Sequence, residues 1–160
     1  MYSIEDMVKA TGGQLLQKGR MDSSARVCID SRIVGKGDVF FAVKGDRFDG
    51  HDFVEHCVRA GVHAFVISKQ KTDQVTPLVK DNKDISVIGV DDVRYSLGEY
   101  ARFYRKKYDI PVIGITGSCG KTTTKELIAQ GLSGHFNILK NTVTQNNDIG
   151  LPMTLLELAD

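Results

Sequence analysis

Between Ile113 and Thr124 the chain reads Ile-Gly-Ile-Thr-Gly-Ser-Cys-Gly-Lys-Thr-Thr-Thr. An apolar, strand-like run enters a turn bracketed by Gly117 and Gly120. A lysine, three hydroxyls and a helical pattern follow. Proteins that hold the phosphates of a nucleoside triphosphate use this order. N–H groups of the turn and of the helix N-terminus point at the anion. Lys121 supplies a point charge for the terminal phosphates, and the next hydroxyl, Thr122, is placed to ligate Mg²⁺. Two residues separate Gly117 from Gly120, so the turn is shorter than the usual Walker spacing.

The rest of the chain alternates strand and helix signals. Ser3 with Asp6 three residues on reads as a capping box that opens a short helix, and Gly12-Gly13 stops it. Val27–Ile29 and Val39–Val43 read as strands around the turn Gly35-Lys36-Gly37-Asp38. Phe53, Val54, Cys57 and Val58 form one helical stripe, ended by Gly61. Ala64–Ile67 and Ile85–Val90 read as buried strands. Asp91 or Asp92 caps a longer helix carrying Val93, Leu97, Ala101, Tyr104 and Tyr108 on one face. Pro111 ends it and starts a strand into the phosphate turn, and the helix after Lys121 is expected to bury Leu127, Ile128 and Leu132 and to end near Gly134. Such alternation predicts an α/β fold with mostly parallel pairing. The seam falls between Tyr108 and Pro111. About fifty residues follow it, too few to cover both faces of a parallel sheet, so the second domain reads as cut short.

Composition removes several classes. Lys+Arg 21 against Asp+Glu 20 gives a net charge of +1, so no basic field recruits nucleic acid or anionic membrane. Cys28, Cys57 and Cys119 are distant and odd in number, which points to a reducing compartment rather than a disulfide framework. The first six residues carry no signal-peptide pattern, and no apolar run approaches the ~20 residues of a membrane span. These features predict a soluble, cytoplasmic protein. His51, His56, His63 and His135 have no zinc-ligand spacing. Cys119 lies where a thiolate is favoured but has no visible base, so it reads as a loop residue rather than a nucleophile. Arg102, Arg105, Lys106 and Lys107 read as a solvated helix face.

Three segments together resemble the Mur ligase family, ATP-dependent enzymes that build the peptide stem of bacterial peptidoglycan. The first runs through Asp30-Ser31-Arg32, Gly37-Asp38-Val39-Phe40-Phe41-Ala42, Gly45, Asp49-Gly50-His51-Asp52-Phe53 and Ala60-Gly61. It looks like the family's N-terminal domain. The second is Thr116–Thr123, which looks like its short phosphate loop. The third, Asn146-Asn147-Asp148-Ile149-Gly150-Leu151-Pro152-Met153-Thr154-Leu155-Leu156, resembles the members that add a dipeptide.

The resemblance implies a small mixed α/β substrate domain over residues 1–108, which binds the UDP-N-acetylmuramoyl precursor. The first part of a P-loop NTPase-like parallel-sheet domain follows over 109–160. It implies ATP and Mg²⁺ as cofactors, with UDP-N-acetylmuramoyl-tripeptide and D-alanyl-D-alanine as partners, joined through an acyl phosphate. Lys121 would meet the β/γ-phosphates and Thr122 the Mg²⁺. Thr116, Gly117, Ser118, Cys119, Gly120 and Thr123 would cradle phosphate. Ser31 and Arg32 would contact the nucleotide sugar, joined by Asp49 and His51, with Asn146 and Asn147 near the substrate or a second metal. By the same resemblance the 160 residues are an N-terminal piece, expected to bind precursor without ligating. Asp49-Gly50-His51 reads equally as a turn and helix cap. The sister enzyme that adds the third stem residue and a non-catalytic nucleotide-sugar binding module are the alternative functions.

Overall fold

A computed structural model describes residues 3–20, 25–142 and 147–158. The chain forms two compact units, Met1–Tyr100 and Ala101–Asp160.

The first unit is built on a five-stranded sheet of order β1-β5-β4-β3-β2. Its strands are β1 (Gln14–Gln17), β2 (Val27–Cys28), β3 (Val39–Phe41), β4 (Ala64–Ser68) and β5 (Ser86–Val90). Strands β2 to β5 run parallel, in the register Val39↔Ala64↔Ser86, and β1 closes one edge antiparallel to β5. The central strands are apolar except for Ser68 and Ser86 at their ends and are buried almost throughout, because both of their faces are covered. One face carries Phe40, Phe65, Ile67 and Val87. It packs on Val54 and Cys57 of α2 (Val54–Arg59) and on Val75 and Val79 of α3 (Thr72–Val79). The opposite face carries Phe41, whose ring lies 6.0 Å from that of Tyr100 on α4 (Val93–Arg105). On α1 (Ile4–Thr11), Ile4 and Met7 are buried, and the Ser96 hydroxyl of α4 donates to Thr11 O at 3.3 Å.

The predicted caps form. Ser3 Oγ accepts from the Asp6 N–H, and Gly12 ends α1 in the left-handed region. Asp92 Oδ1 accepts from the Tyr95 N–H at 3.0 Å at the start of α4. Strand β3 stops at Phe41, two residues before the end of the apolar run. Gly50 backs directly onto that point, and a Cβ there would stand 2.8 Å from the Ala42 carbonyl carbon.

In the first unit, β1 and α3 lie outside the sequence reading. Strand β1 has no alternation, and α3 buries only Val75 and Val79, with Leu78 exposed and Pro77 inside it. Gln17 joins them. Its Nε2 lies 3.3 Å from Val79 O, 2.9 Å from Asn82 O and 2.9 Å from Ile85 O, so two N–H donors are shared among three carbonyls.

The second unit holds the last turn of α4, then α5 (Lys121–Leu132) and α6 (Gly150–Leu155). The strand expected after Pro111 is not formed. Residues 109–117 have no ladder partner, and Val112 and Ile113 are 66% and 58% exposed. An apolar run becomes a parallel strand only beside neighbours that accept its N–H groups. Leu127 is likewise 64% exposed rather than buried, while Ala129 is buried and Ile128 and Leu132 are half-buried.

Replacing Gln17 by leucine removes the donors at this carbonyl cluster. Stability should fall by about 1–3 kcal/mol, read as a lower urea midpoint at unchanged slope.

Candidate functional site

Parallel strands place their carboxyl ends together, and loops that bind ligands gather there. In the first unit that edge holds all four residues predicted from its sequence motifs. The turn after β2 carries Ser31 and Arg32, and the loop after β3 carries Asp49 and His51.

Ile33 N–H donates to Asp30 O at 3.2 Å and closes a turn over residues 30–33. Arg32 folds back onto Asp30: Nε donates to Oδ1 at 2.8 Å and Nη2 to Oδ2 at 2.5 Å. The Arg32 N–H also donates to Oδ1 at 3.0 Å. These bonds, the side-chain ones first, hold the Asp30 carboxyl down to about 2. The guanidinium stays largely exposed, so Arg32 faces water with its charge already matched.

Asp49 and His51 form a different device. The His51 ring is buried, with Nδ1 2.5 Å from Asp49 Oδ1 and Nε2 accepting from the Ser68 N–H at 2.9 Å. Because Nε2 accepts, Nδ1 carries the proton that Asp49 receives. The ring thereby fastens the loop after β3 to the carboxyl end of β4. Burial alone would raise the Asp49 carboxyl. The His51 ring and backbone N–H bonds outweigh it, and the carboxyl lies below its usual range. With both ring nitrogens engaged inside the protein, this geometry favours the turn-and-cap reading of Asp49-Gly50-His51.

In the second unit the Gly117–Gly120 turn meets α5 at Gly120, whose φ of 75° lies in the left-handed region that favours glycine. Helix α5 starts with no side-chain cap, and its first internal bond runs from Thr124 N–H to Gly120 O at 2.9 Å. The amides of Lys121, Thr122 and Thr123 precede that bond, at the positive end of the helix. Lys121 Nζ arches back to donate to Gly117 O at 2.5 Å. Residues 116–124 are exposed throughout, Cys119 among them. By contrast Cys57 is buried, and its thiol is pushed up to about 12.

Asn147 caps α6: its Oδ1 accepts from Ile149 N–H at 3.2 Å and Gly150 N–H at 2.7 Å. Asn146 lies outside the described residues. The Arg26–Asp38 pair, to which the sequence reading gave no role, lies beside the Asp30 turn. Its only sequence signal was Asp38 within the Gly-Asp-Val-Phe motif.

Residues 25–105, just over half of the chain, match the Mur ligase family, catalytic domain, and residues 115–160 match the Mur ligase middle domain. The chain belongs to the Mur ligase family. Among Mur ligases it is similar to the UDP-N-acetylmuramoyl-tripeptide–D-alanyl-D-alanine ligase of Synechocystis sp., at 41% identity over 83% of this chain and 28% of that protein. It is also similar to the ligase of the same name from Bacillus subtilis, at 39% identity over 84% and 28%. A crystal structure of MurF from Acinetobacter baumannii superposes with a TM-score of 0.85 at 34% identity, covering 99% of this chain and 33% of that one. MurF from Thermotoga maritima in complex with ADP gives 0.73 at 33% identity, covering 88% and 31%. The chain therefore spans about 28% of the length of these curated Mur ligases. The Asp30 turn and the Asp49 loop fall in the first family match and the Gly117–Gly120 turn in the second.

Two measurements test these assignments. Carbon-detected NMR should find Asp30 titrating near 2, and Arg32→Ala should return it toward about 3.9. The folded value lies below the unfolded one. The pair's contribution is therefore complete above about 3.9 and is lost as pH falls through about 2. His51→Phe keeps the volume but orphans the Ser68 N–H, and should cost about 1–3 kcal/mol in thermal unfolding. A loss of ligand affinity at unchanged stability would instead make His51 a contact residue.

Proposed function

We propose that this chain is the precursor- and nucleotide-binding part of an ATP-dependent ligase of peptidoglycan synthesis, which joins D-alanyl-D-alanine to UDP-N-acetylmuramoyl-tripeptide. The observation that carries the reading is the uncapped, glycine-entered start of α5 with Lys121 folded over it, inside the middle-domain match. Relatives named for this reaction, matched across both units, support the substrate assignment.

The residues present fit a triphosphate. Amides at the start of α5 and the Lys121 ammonium are donors without a carboxylate among them. The Thr122 hydroxyl follows directly for Mg²⁺. Among the described residues no three His, Cys, Asp or Glu side chains gather as a metal site. Of the residues present, Thr122 would offer its hydroxyl to Mg²⁺. Bound there, ATP supplies the phosphoryl group that converts a carboxylate, with its poor leaving group, into an acyl phosphate open to an amine. The chain's own work is charge neutralisation and alignment. Thr116, Ser118, Cys119 and Thr123 line the turn, and Gly117 and Gly120 let its backbone approach the anion.

In the first unit the Asp30–Arg32 turn offers a hydroxyl and a guanidinium suited to a diphosphate. The reaction belongs in the cytoplasm, in keeping with three unpaired cysteines. No helix among the described residues is long and apolar enough to cross a membrane.

Calorimetry on Met1–Asp160 should show binding of UDP-N-acetylmuramoyl-tripeptide and, separately, of Mg·ATP, without ligation. Lys121→Ala should weaken Mg·ATP by about 1.5–3 kcal/mol, the value of a hydrogen bond to a charged group, and leave precursor affinity unchanged. Equal affinity of wild type and variant for Mg·ATP would refute the phosphate-turn assignment.

A further inference from the structure

The Asp30–Arg32 turn follows a strand of two residues at the sheet edge. Two ladder positions, Val27↔Val39 and Cys28↔Phe40, fix little of what comes after. The turn is placed instead by a bridge between the residues that precede β2 and β3. Asp38, its side chain 10% exposed, accepts through Oδ2 from Arg26 Nη2 at 2.8 Å and from the Gly35 N–H at 2.8 Å. Arg26 Nη2 also donates to Ile33 O at 2.7 Å. Ile33 is the last residue of the turn, and Gly35 lies two residues further on.

The base of the same bridge is tied down independently. Val39 N–H donates to Arg26 O at 2.9 Å, and Gly37 N–H donates to Gly61 O at 2.9 Å. One guanidinium and one buried carboxylate thus grip the return arm of the turn at two points, and the sheet holds the grip.

We propose that Arg26 and Asp38 are positioning residues for ligand recognition: their bridge fixes where the Ser31 hydroxyl and the Arg32 guanidinium stand for the diphosphate of the nucleotide-sugar precursor. This rests on the reading of the Asp30–Arg32 turn as a precursor contact. Neither residue needs to touch the ligand. A turn held in its binding shape loses less freedom on association, and a loose one loses more.

The test compares Arg26→Met with Arg59→Met, which breaks the exposed Glu55–Arg59 helix pair far from the turn in sequence. Hydrogen exchange is read at the Ile33 and Gly35 amides. Affinity for UDP-N-acetylmuramoyl-tripeptide is read by calorimetry. In Arg26→Met, exchange at both amides should rise about tenfold or more, and affinity should fall about tenfold. Arg26→Lys should recover part of the affinity, and Arg59→Met should move neither readout. Should Arg26→Met fail to fold, Asp38→Asn keeps an oxygen for Gly35, removes the charge and carries the same two readouts.

Unchanged exchange at Ile33 and Gly35 overturns the proposal. So does unchanged precursor affinity in a variant whose exchange has risen. Failure of the wild-type chain to bind the precursor, with exchange altered as expected, overturns the reading of the turn as a contact and with it the ligand half of the proposal, while upholding the bridge as what holds the turn.

Discussion

A parallel strand can satisfy its N–H and C=O groups only from neighbours on either side, and it must be covered above and below. That requirement organises the molecule. It is met from β3 to β5, where Phe40, Phe65 and Val87 stack in register on one face and Phe41 meets Tyr100 on the other. It is unmet at residues 112–116, where Val112, Ile113 and Ile115 stand without a ladder. The strand pattern is thus a property of company as much as of sequence. Once the parallel ladder exists, its carboxyl edge collects the turn after β2 and the loop after β3, and the candidate precursor residues come together without being near in sequence.

The groups best suited to anions already have protein partners. Arg32 is matched by Asp30, and Lys121 by the Gly117 carbonyl. His51 is engaged more completely, being buried with both ring nitrogens hydrogen-bonded within the protein. The contrast separates exposed partners that a ligand can replace from buried ones that the fold needs.

Much of this was legible before any coordinates. Caps and glycine stops depend on a few adjacent atoms, so Ser3, Gly12 and Asp92 behave as read. The glycine–lysine–threonine turn is equally local. Strand β1 was hidden because its pairing with β5 is decided by a segment about seventy residues away, and α3 because Val75 and Val79 are its whole buried stripe. Leu127 was expected inside from its helical spacing, but spacing states which residues share a face, not what lies opposite it. Arg26 was invisible for a related reason: its meaning comes from Asp38 and Ile33, which only the return of the chain to β3 brings within reach.

The Asp30–Arg32 pair has a kinetic consequence. A cation whose field is cancelled by its neighbour draws in no distant anion, and the whole chain carries a net charge of only +1. An anion reaching this turn would therefore meet little attractive field from the pair until contact, where it would have to exchange places with the Asp30 carboxylate.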